Sequence, residues 1–268
     1  MQSQHFIIFM GGNSYLKKMY NKGLSKMNHL VSISDYVKET IIKKYNLAPN
    51  KISVINRGID TEYFNQPLDN KIRDNIIKTY QIDTAKKIIL FPARITSWKG
   101  QLEFIDVIKK MDTQNILVLF AGDIKNESYT KLVRNKIEQN NLEGVCRILG
   151  SVNQDEMRSL YQIADLSVSF PLRAEGFGRT ISEALYSKTP VLAFDDGGVK
   201  NQLASLSDMF KVKPQDYQAL PAKIEKLLSL SEVQKKEEIE GVQSVIESNF
   251  SKINMVNQYL KLYESLKS

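Results

Sequence analysis

Short apolar runs alternate along this chain with longer amphipathic stretches, and that rhythm sets the fold class. Lys87–Ala93 and Ile116–Ala121 are almost unbroken apolar segments of strand length, and Leu166–Phe170 is a shorter apolar run carrying two serines. Runs without polar interruption suit strands covered on both faces. Leu102, Phe104, Ile105 and Ile108 after the first run fall at helical spacing, as do Ile181, Ala184 and Leu185 after the third. Strand–helix alternation of this kind predicts an α/β protein with a parallel sheet flanked by helices. Nearer the start, His29–Ile33 and Lys51–Asn56 predict two more strands. A helix through Tyr45 lies between them, capped by Ser34 with Asp35 in its dipole-favoured first turn. Thr61–Asn70 reads as a linker. Ser251–Leu266 predicts a final helix with Ile253, Val256, Leu260 and Tyr263 on one stripe.

The segment Arg173-Ala-Glu-Gly-Phe-Gly-Arg-Thr-Ile-Ser-Glu183 carries the sharpest chemistry. A strand, a glycine-bearing turn and a helix N-terminus make an anion site, because the first helical N–H groups lack partners and the dipole adds positive charge. Glu175 and Glu183 bracket that site. Acids on both sides of a phosphate make sense if the ligand carries hydroxyls at both ends of its phosphates, as a nucleotide sugar does. Helical side chains lean toward the N-terminus, so Glu183, sharing a stripe with Thr180 apart from the Ile181/Leu185 core face, is placed to accept from vicinal hydroxyls. Taken singly, Glu175 could be an ordinary helix-entry acid and Glu183 an exposed helix carboxylate. A glycosidase pair is a poor fit: eight helical steps span ~12 Å, against roughly 5 to 9.5 Å between glycosidase carboxyls.

A second constellation follows the Lys87–Ala93 run as Arg94-Ile-Thr-Ser-Trp-Lys-Gly100. In open parallel sheets ligands bind beyond the carboxyl ends of strands, where Arg94 and Lys99 would sit. Two cations there can hold a diphosphate without a metal. At about 4 Å and an effective dielectric near 20, each charge pair is worth roughly 4 kcal/mol before desolvation.

With these motifs in order, the chain resembles the C-terminal half of a retaining glycosyltransferase of family 4, with the GT-B fold. Asn56-Arg57-Gly58-Ile59-Asp60 matches the family's Asn-Gly-Val-Asp turn, and Ala93-Arg94…Trp98-Lys99-Gly100 its Gly-Arg…Glu-Lys-Gly loop. Gly122-Asp123, Leu149-Gly-Ser-Val152, Glu175 to Glu183 and Gly197-Gly198 match further landmarks. Asn201, after Lys200, stands where the family often has glutamate. The resemblance implies a Rossmann-like parallel sheet plus part of a second Rossmann-like domain. It implies three parts: residues 1–65 from an N-terminal acceptor-side domain, 66–249 as the nucleotide-sugar-binding domain, and 250–268 as a helix crossing back. Arg94, Lys99 and Glu175 would be catalytic. Gly122, Phe177, Gly178, Arg179, Thr180 and Glu183 would bind the donor, with Glu183 on the ribose. Arg147 to Val152 would lie near the base. No cofactor and no metal are implied, and Asp195-Asp196 reads as a pair of loop acids.

The implied partners are a nucleotide-diphosphate sugar and a glycan or lipid-linked acceptor. Because the earlier strands of the first domain are not seen, the expectation includes an acceptor domain supplied in trans, or a remnant that only binds nucleotide sugar, with both ends loosely held. Gly11-Gly12 lies too near that domain's end to be its early glycine loop, and the surroundings of His5 do not match the family's acceptor-side histidine.

Composition adds bounds. One cysteine, Cys146, excludes internal disulfides, and two histidines leave no zinc set. No run is long enough to span a membrane, and Met1 to Gly11 lacks the pattern of a signal peptide. A cytoplasmic location is expected. Lys17, Lys18, Lys22 and Lys26, interleaved with apolar residues, suit a basic amphipathic helix on the inner face of the membrane, or a solvated face. A net charge of +7 also raises nucleic acid as a partner, but no nucleic-acid module is visible. No G-x-G-x-x-G follows the first strand and no G-x-x-x-x-G-K-[ST] loop occurs, which excludes dehydrogenase and P-loop readings.

Overall fold

The computed structural model describes residues 26–266 together with Met19, Lys22 and Gly23. Gly11-Gly12, His5 and most of the basic helix read from Lys17 to Lys26 therefore lie outside the described residues.

Two parallel sheets organise the chain. The small one pairs β1 (Leu30–Ser32) with β2 (Ile52–Val54), and α1 (Asp35–Tyr45) connects them. Leu30, Ile41 and Ile52 close a core of their own beneath it. The large sheet contains β3 (Lys87–Pro92), β4 (Ile116–Ala121), β5 (Cys146–Gly150), β6 (Leu166–Ser169), β7 (Val191–Phe194) and β8 (Lys211–Val212). Its six strands run parallel in the order β5-β4-β3-β6-β7-β8. Connecting helices include α2 (Thr61–Phe64), α3 (Asn70–Thr79), α4 (Gln101–Ile108), α5 (Glu127–Gln139), α6 (Gln154–Ile163) and α7 (Arg179–Tyr186). After them come α8 (Lys200–Leu203), α9 (Leu220–Leu228), α10 (Glu232–Phe250) and α11 (Lys252–Ser265).

The apolar runs become strands because both faces are covered. β4 is buried along its whole length, as is β6. Under the carboxyl ends of the strands lies an aromatic floor. Phe91 packs on Phe104 at 5.4 Å, Phe104 on Phe170 at 5.4 Å, and Phe170 on Phe194 at 5.1 Å between ring centroids. The chain moves outward from β3 through β4 to β5, then returns to β3's other side for β6. Strand order reverses there, and loops leaving β3 and β6 open a crevice. Gly100 lets them meet: its φ is 87°, and a Cβ on it would strike the Phe170 carbonyl. The Leu172 N–H donates to the Trp98 carbonyl at 2.8 Å, tying one loop to the other.

The linker expected over Thr61–Asn70 contains α2 instead. The Asp60 carboxylate accepts from the Tyr63 N–H at 3.1 Å and starts the turn, and Phe64 is buried in the main core. The segment before it is not loosely held. The Ser34 hydroxyl accepts from the Val37 N–H at 3.2 Å, capping α1, and donates to the Gly176 carbonyl at 2.6 Å. Asn201 donates to the Asp35 carboxylate at 2.9 Å. At the far end, the Ile59 N–H donates to the Phe250 carbonyl at 2.8 Å and the Lys252 N–H to the Ile59 carbonyl at 2.7 Å. α11 starts there and leaves Ile253, Val256, Leu260 and Tyr263 exposed.

Gly100→Ala combines a disfavoured φ with a backbone collision, so it is expected to cost more than about 1 kcal/mol of stability. The denaturant midpoint of the variant measures this, and an unchanged midpoint would contradict the described loop contact.

Candidate functional site

At the reversal point the β3 and β6 loops bring opposite charges face to face. Lys99 forms an ion pair with Glu175, and the two side chains are only 16% and 9% exposed. The Lys99 ammonium also lies 4.4 Å from the centre of the Trp98 ring, and the Arg173 guanidinium 4.9 Å from it. Trp98 thus holds two cations by its π-face. Arg94 stays anchored through its backbone, whose carbonyl accepts from Gln101 at 2.9 Å.

Gly178 starts α7 in the left-handed region, with φ 77°, and no side chain caps the helix. A Cβ there would lie 2.5 Å from the Val199 methyl, so only glycine fits without strain. The first amides of α7 lack side-chain acceptors and carry the positive end of the helix dipole. Behind this turn, the Gly198 N–H donates to the Glu175 carbonyl at 2.8 Å. The buried Gln202 amide donates to the Phe177 carbonyl while its oxygen accepts from Ser182. Phe177 itself is buried and packs on Phe250 at 5.7 Å. Asp196 accepts from the Gly197 N–H at 2.8 Å.

Glu183 departs from its reading as part of a stripe apart from the core. It is buried, at 5% exposure. One carboxylate oxygen accepts from the Tyr161 hydroxyl at 3.0 Å, and the other meets the Arg179 guanidinium at 2.7 Å. Burial raises its pKa above the usual carboxylate range, while Arg179, the Tyr161 hydroxyl and Arg57 oppose that shift. Burial and the neighbouring Glu183 push the Tyr161 hydroxyl well above the ordinary tyrosine value. Thr180 sits half-buried in the first turn of α7. Gly122 follows β4 on the neighbouring strand end, its N–H donating to the Gly150 carbonyl at 2.8 Å. Arg147, at the start of the segment expected near the base, donates to the carbonyls of Tyr80 and Gln81 at the end of α3.

A cavity of about 680 Å³ gathers these parts. One wall comes from the main sheet: Arg94, Trp98, Arg173, Glu175, Gly178 and Arg179. The other comes from α1 and the turn after β2: Tyr36, Thr40, Lys44, Tyr45 and Arg57. A second hollow of about 600 Å³ adjoins it through Arg94, lined by Thr96, Asp123 and the start of α5. Of the residues singled out from the sequence, Arg94, Glu175, Phe177, Gly178 and Arg179 line the main cavity. Lys99 reaches that wall through Glu175, and Glu183 through Arg179. The α1 wall and Gln202 were not singled out. The α1 wall's sequence signal is the i, i+4 spacing of Tyr36, Thr40 and Lys44. Among the described residues, no three His, Cys, Asp or Glu side chains group as a metal site, and no helix is long and apolar enough to cross a membrane.

The raised pKa of Glu183 carries a stability consequence. A folded state that binds this proton more readily than the unfolded chain loses stability as pH rises from the unfolded value, near 4.5, through the folded one. Glu183→Gln is therefore expected to gain in melting temperature relative to the parent as pH rises across that window. A difference between the two that does not change between pH 4 and 7 would contradict the burial described.

Comparisons with known proteins bear on this geometry. Residues 72–241 match the family model described as Glycosyl transferases group 1, and residues 4–63 match the one described as Glycosyltransferase Family 4. A glycosyltransferase of Methanocaldococcus jannaschii is 26% identical over 207 residues, 75% of this chain and 50% of that protein. A trehalose synthase of Thermococcus litoralis is 26% identical over 200 residues, 69% of this chain and 45% of that protein. The chain spans about half the length of these curated relatives. Among solved structures, a glycosyltransferase from Rickettsia africae superposes with a TM-score of 0.84 at 29% identity, covering 97% of this chain and 69% of that one. Anabaena HepE, solved in complex with UDP and glucose, gives 0.81 at 20% identity, covering 94% and 68%. The parallel α/β architecture is that of the GT-B glycosyltransferases. With more than half of its length inside the first family model, the chain belongs to the Glycosyl transferases group 1 family.

Proposed function

We propose that this chain moves a sugar from a nucleotide-diphosphate sugar to a glycan or lipid-linked acceptor, with retention of configuration, in cell-envelope polysaccharide or glycolipid synthesis. One observation carries the donor half of this reading. Arg94, the Lys99–Glu175 pair and the uncapped start of α7 meet at one cavity, at the point where strand order reverses. Anabaena HepE, a neighbour in fold, was solved with UDP and with UDP-glucose, which supports a donor of this class. Retention rests on the resemblance to family 4.

In such a transfer the bond between the anomeric carbon and the diphosphate breaks. Positive charge grows on the sugar and negative charge on the leaving group. Arg94, Lys99 and the N–H groups of Gly178, Arg179 and Thr180 would face the growing negative charge, preorganised before reaction. Glu175 would accept from donor-sugar hydroxyls, in exchange for part of its contact with Lys99. Glu183 would hold the ribose: Arg179 is 59% exposed and can yield its carboxylate oxygen to ribose hydroxyls, while Tyr161 keeps the other.

Trp98 is the chain's one tryptophan and lines the cavity, so its fluorescence reports occupancy. Saturable quenching by one of UDP, GDP or ADP is expected. Lys99→Ala and Glu175→Ala are each expected to lower sugar transfer about a hundred- to a thousandfold, with the far-ultraviolet circular dichroism of the parent retained. Turnover within a few-fold of the parent, or fluorescence indifferent to every diphosphate, would reject the reading.

A further inference from the structure

The donor accounts for only part of the positive charge around the cavity. Arg94, Lys99 and the α7 amides already suffice for a diphosphate. Lys44, Arg57 and Arg173 also line the cavity, and its one acidic lining residue, Glu175, is engaged by Lys99. Like charges gathered at one site repel unless an anion joins them.

Two of these cations belong to the wall opposite the donor. Tyr36, Thr40 and Lys44 are spaced four apart on α1, so they form one stripe, and all three line the cavity. Arg57 extends the stripe from the turn after β2, close enough to Glu183 to act on its charge. The acids of α1 are spent elsewhere or lie off this face. Asp35 accepts from Asn201, and Glu39 is not among the lining residues. The Thr40 hydroxyl donates to the Tyr36 carbonyl at 2.8 Å, so the α1 wall offers the Tyr36 hydroxyl, an ammonium and a guanidinium, and no Asp, Glu, Asn or Gln. A neutral sugar is gripped through carboxylates and amides that accept from its hydroxyls. A wall of donors and cations suits phosphate oxygens, which Arg meets with a fork and Lys with a point charge.

We propose that the acceptor carries a phosphate group, held by Lys44 and Arg57 with the Tyr36 hydroxyl on the α1 side of the cavity. This rests on the donor reading above, and it specifies the acceptor's chemistry. The contact between Ser34 and the Gly176 carbonyl holds the phosphate wall against the donor wall. An acceptor hydroxyl near that phosphate is thereby brought toward the donor sugar. The phosphate can belong to a lipid headgroup or to a soluble phosphorylated polyol, and the two sources separate experimentally.

The test follows Trp98 fluorescence in protein saturated with whichever of UDP, GDP or ADP binds. Glycerol 3-phosphate and dihexanoyl phosphatidic acid are then titrated beside their neutral counterparts, glycerol and dihexanoylglycerol. The phosphate probes are expected to saturate and the neutral ones not. Lys44→Gln, at an exposed position, is expected to weaken the phosphate probe about tenfold and the diphosphate less than twofold. Preference for the phosphatidic acid assigns a lipid phosphate, and equal binding of the two assigns a soluble one. Saturable diphosphate binding without discrimination between phosphate and neutral probes overturns this proposal alone. A loss that falls on the diphosphate instead also overturns it, since Lys44 would then serve the donor. Failure of every diphosphate to bind removes the donor reading and this inference with it.

Discussion

The reversal of strand order between β3 and β6 is the constraint from which the site follows. These strands pair over a short stretch, Ile89 with Leu166 and Leu90 with Ser167. Beyond it their loops separate, and each must find cover for its backbone. The two loops supply it to each other through the Leu172–Trp98 hydrogen bond and the close packing of Gly100 against Phe170. The phenylalanines beneath give this junction a dense floor that cannot shift without repacking several rings. Lys99 and Glu175, far apart in sequence, are neighbours because topology leaves them no other place.

That junction holds its charged groups against one another. Removing a lysine and a glutamate from water costs about as much as their attraction returns, so the Lys99–Glu175 pair is weak as a source of stability. Its value lies in position: each group is fixed, largely dehydrated and able to exchange its partner for part of a ligand. Glu183 follows the same logic more sharply. Its burial disfavours ionisation, yet Tyr161 and Arg179 occupy both carboxylate oxygens. Arg179 is the exposed member and the one a ligand can displace, whereas Tyr161 is fully enclosed and fixes the carboxylate's direction.

Much of the frame was legible in the residues, because continuous apolar runs and helical spacing report which face is covered. β3, β4, β6, α4 and α7 fall where Lys87–Ala93, Ile116–Ala121, Leu166–Phe170 and their following stripes place them. The glycine turn into α7 was equally plain, since Gly178 has no substitute at its φ. Periodicity does not say what provides the cover. Tyr161 and Glu183 meet only because α6 packs on α7, and neither stripe announces the other. Gln202 under Phe177, Arg147 on the α3 carbonyls and the buried Phe64 in a presumed linker depend likewise on tertiary neighbours. Nothing in the spacing of Tyr36, Thr40 and Lys44 says what faces that stripe. It becomes a cavity wall only because Ser34 docks on Gly176.

The separation between the two cavity walls has its own support, at the opposite end from Ser34. Arg57 stands two residues before Ile59, whose backbone exchanges hydrogen bonds with Phe250 and Lys252 where α10 gives way to α11. Gly58 lies so close to Ser251 and Lys252 that a Cβ would come within 2.6 Å of the Lys252 backbone. Phe250 in turn packs on Phe177, next to the glycine that opens α7. A continuous path of backbone bonds and ring contacts therefore runs from the turn bearing Arg57 to the turn bearing Gly178. Backbone hydrogen bonds and close-packed rings resist small displacements far better than exposed ion pairs. The α10–α11 junction, packed on the residue next to Arg57, thus sets how far apart the α1 wall and the donor wall can stand.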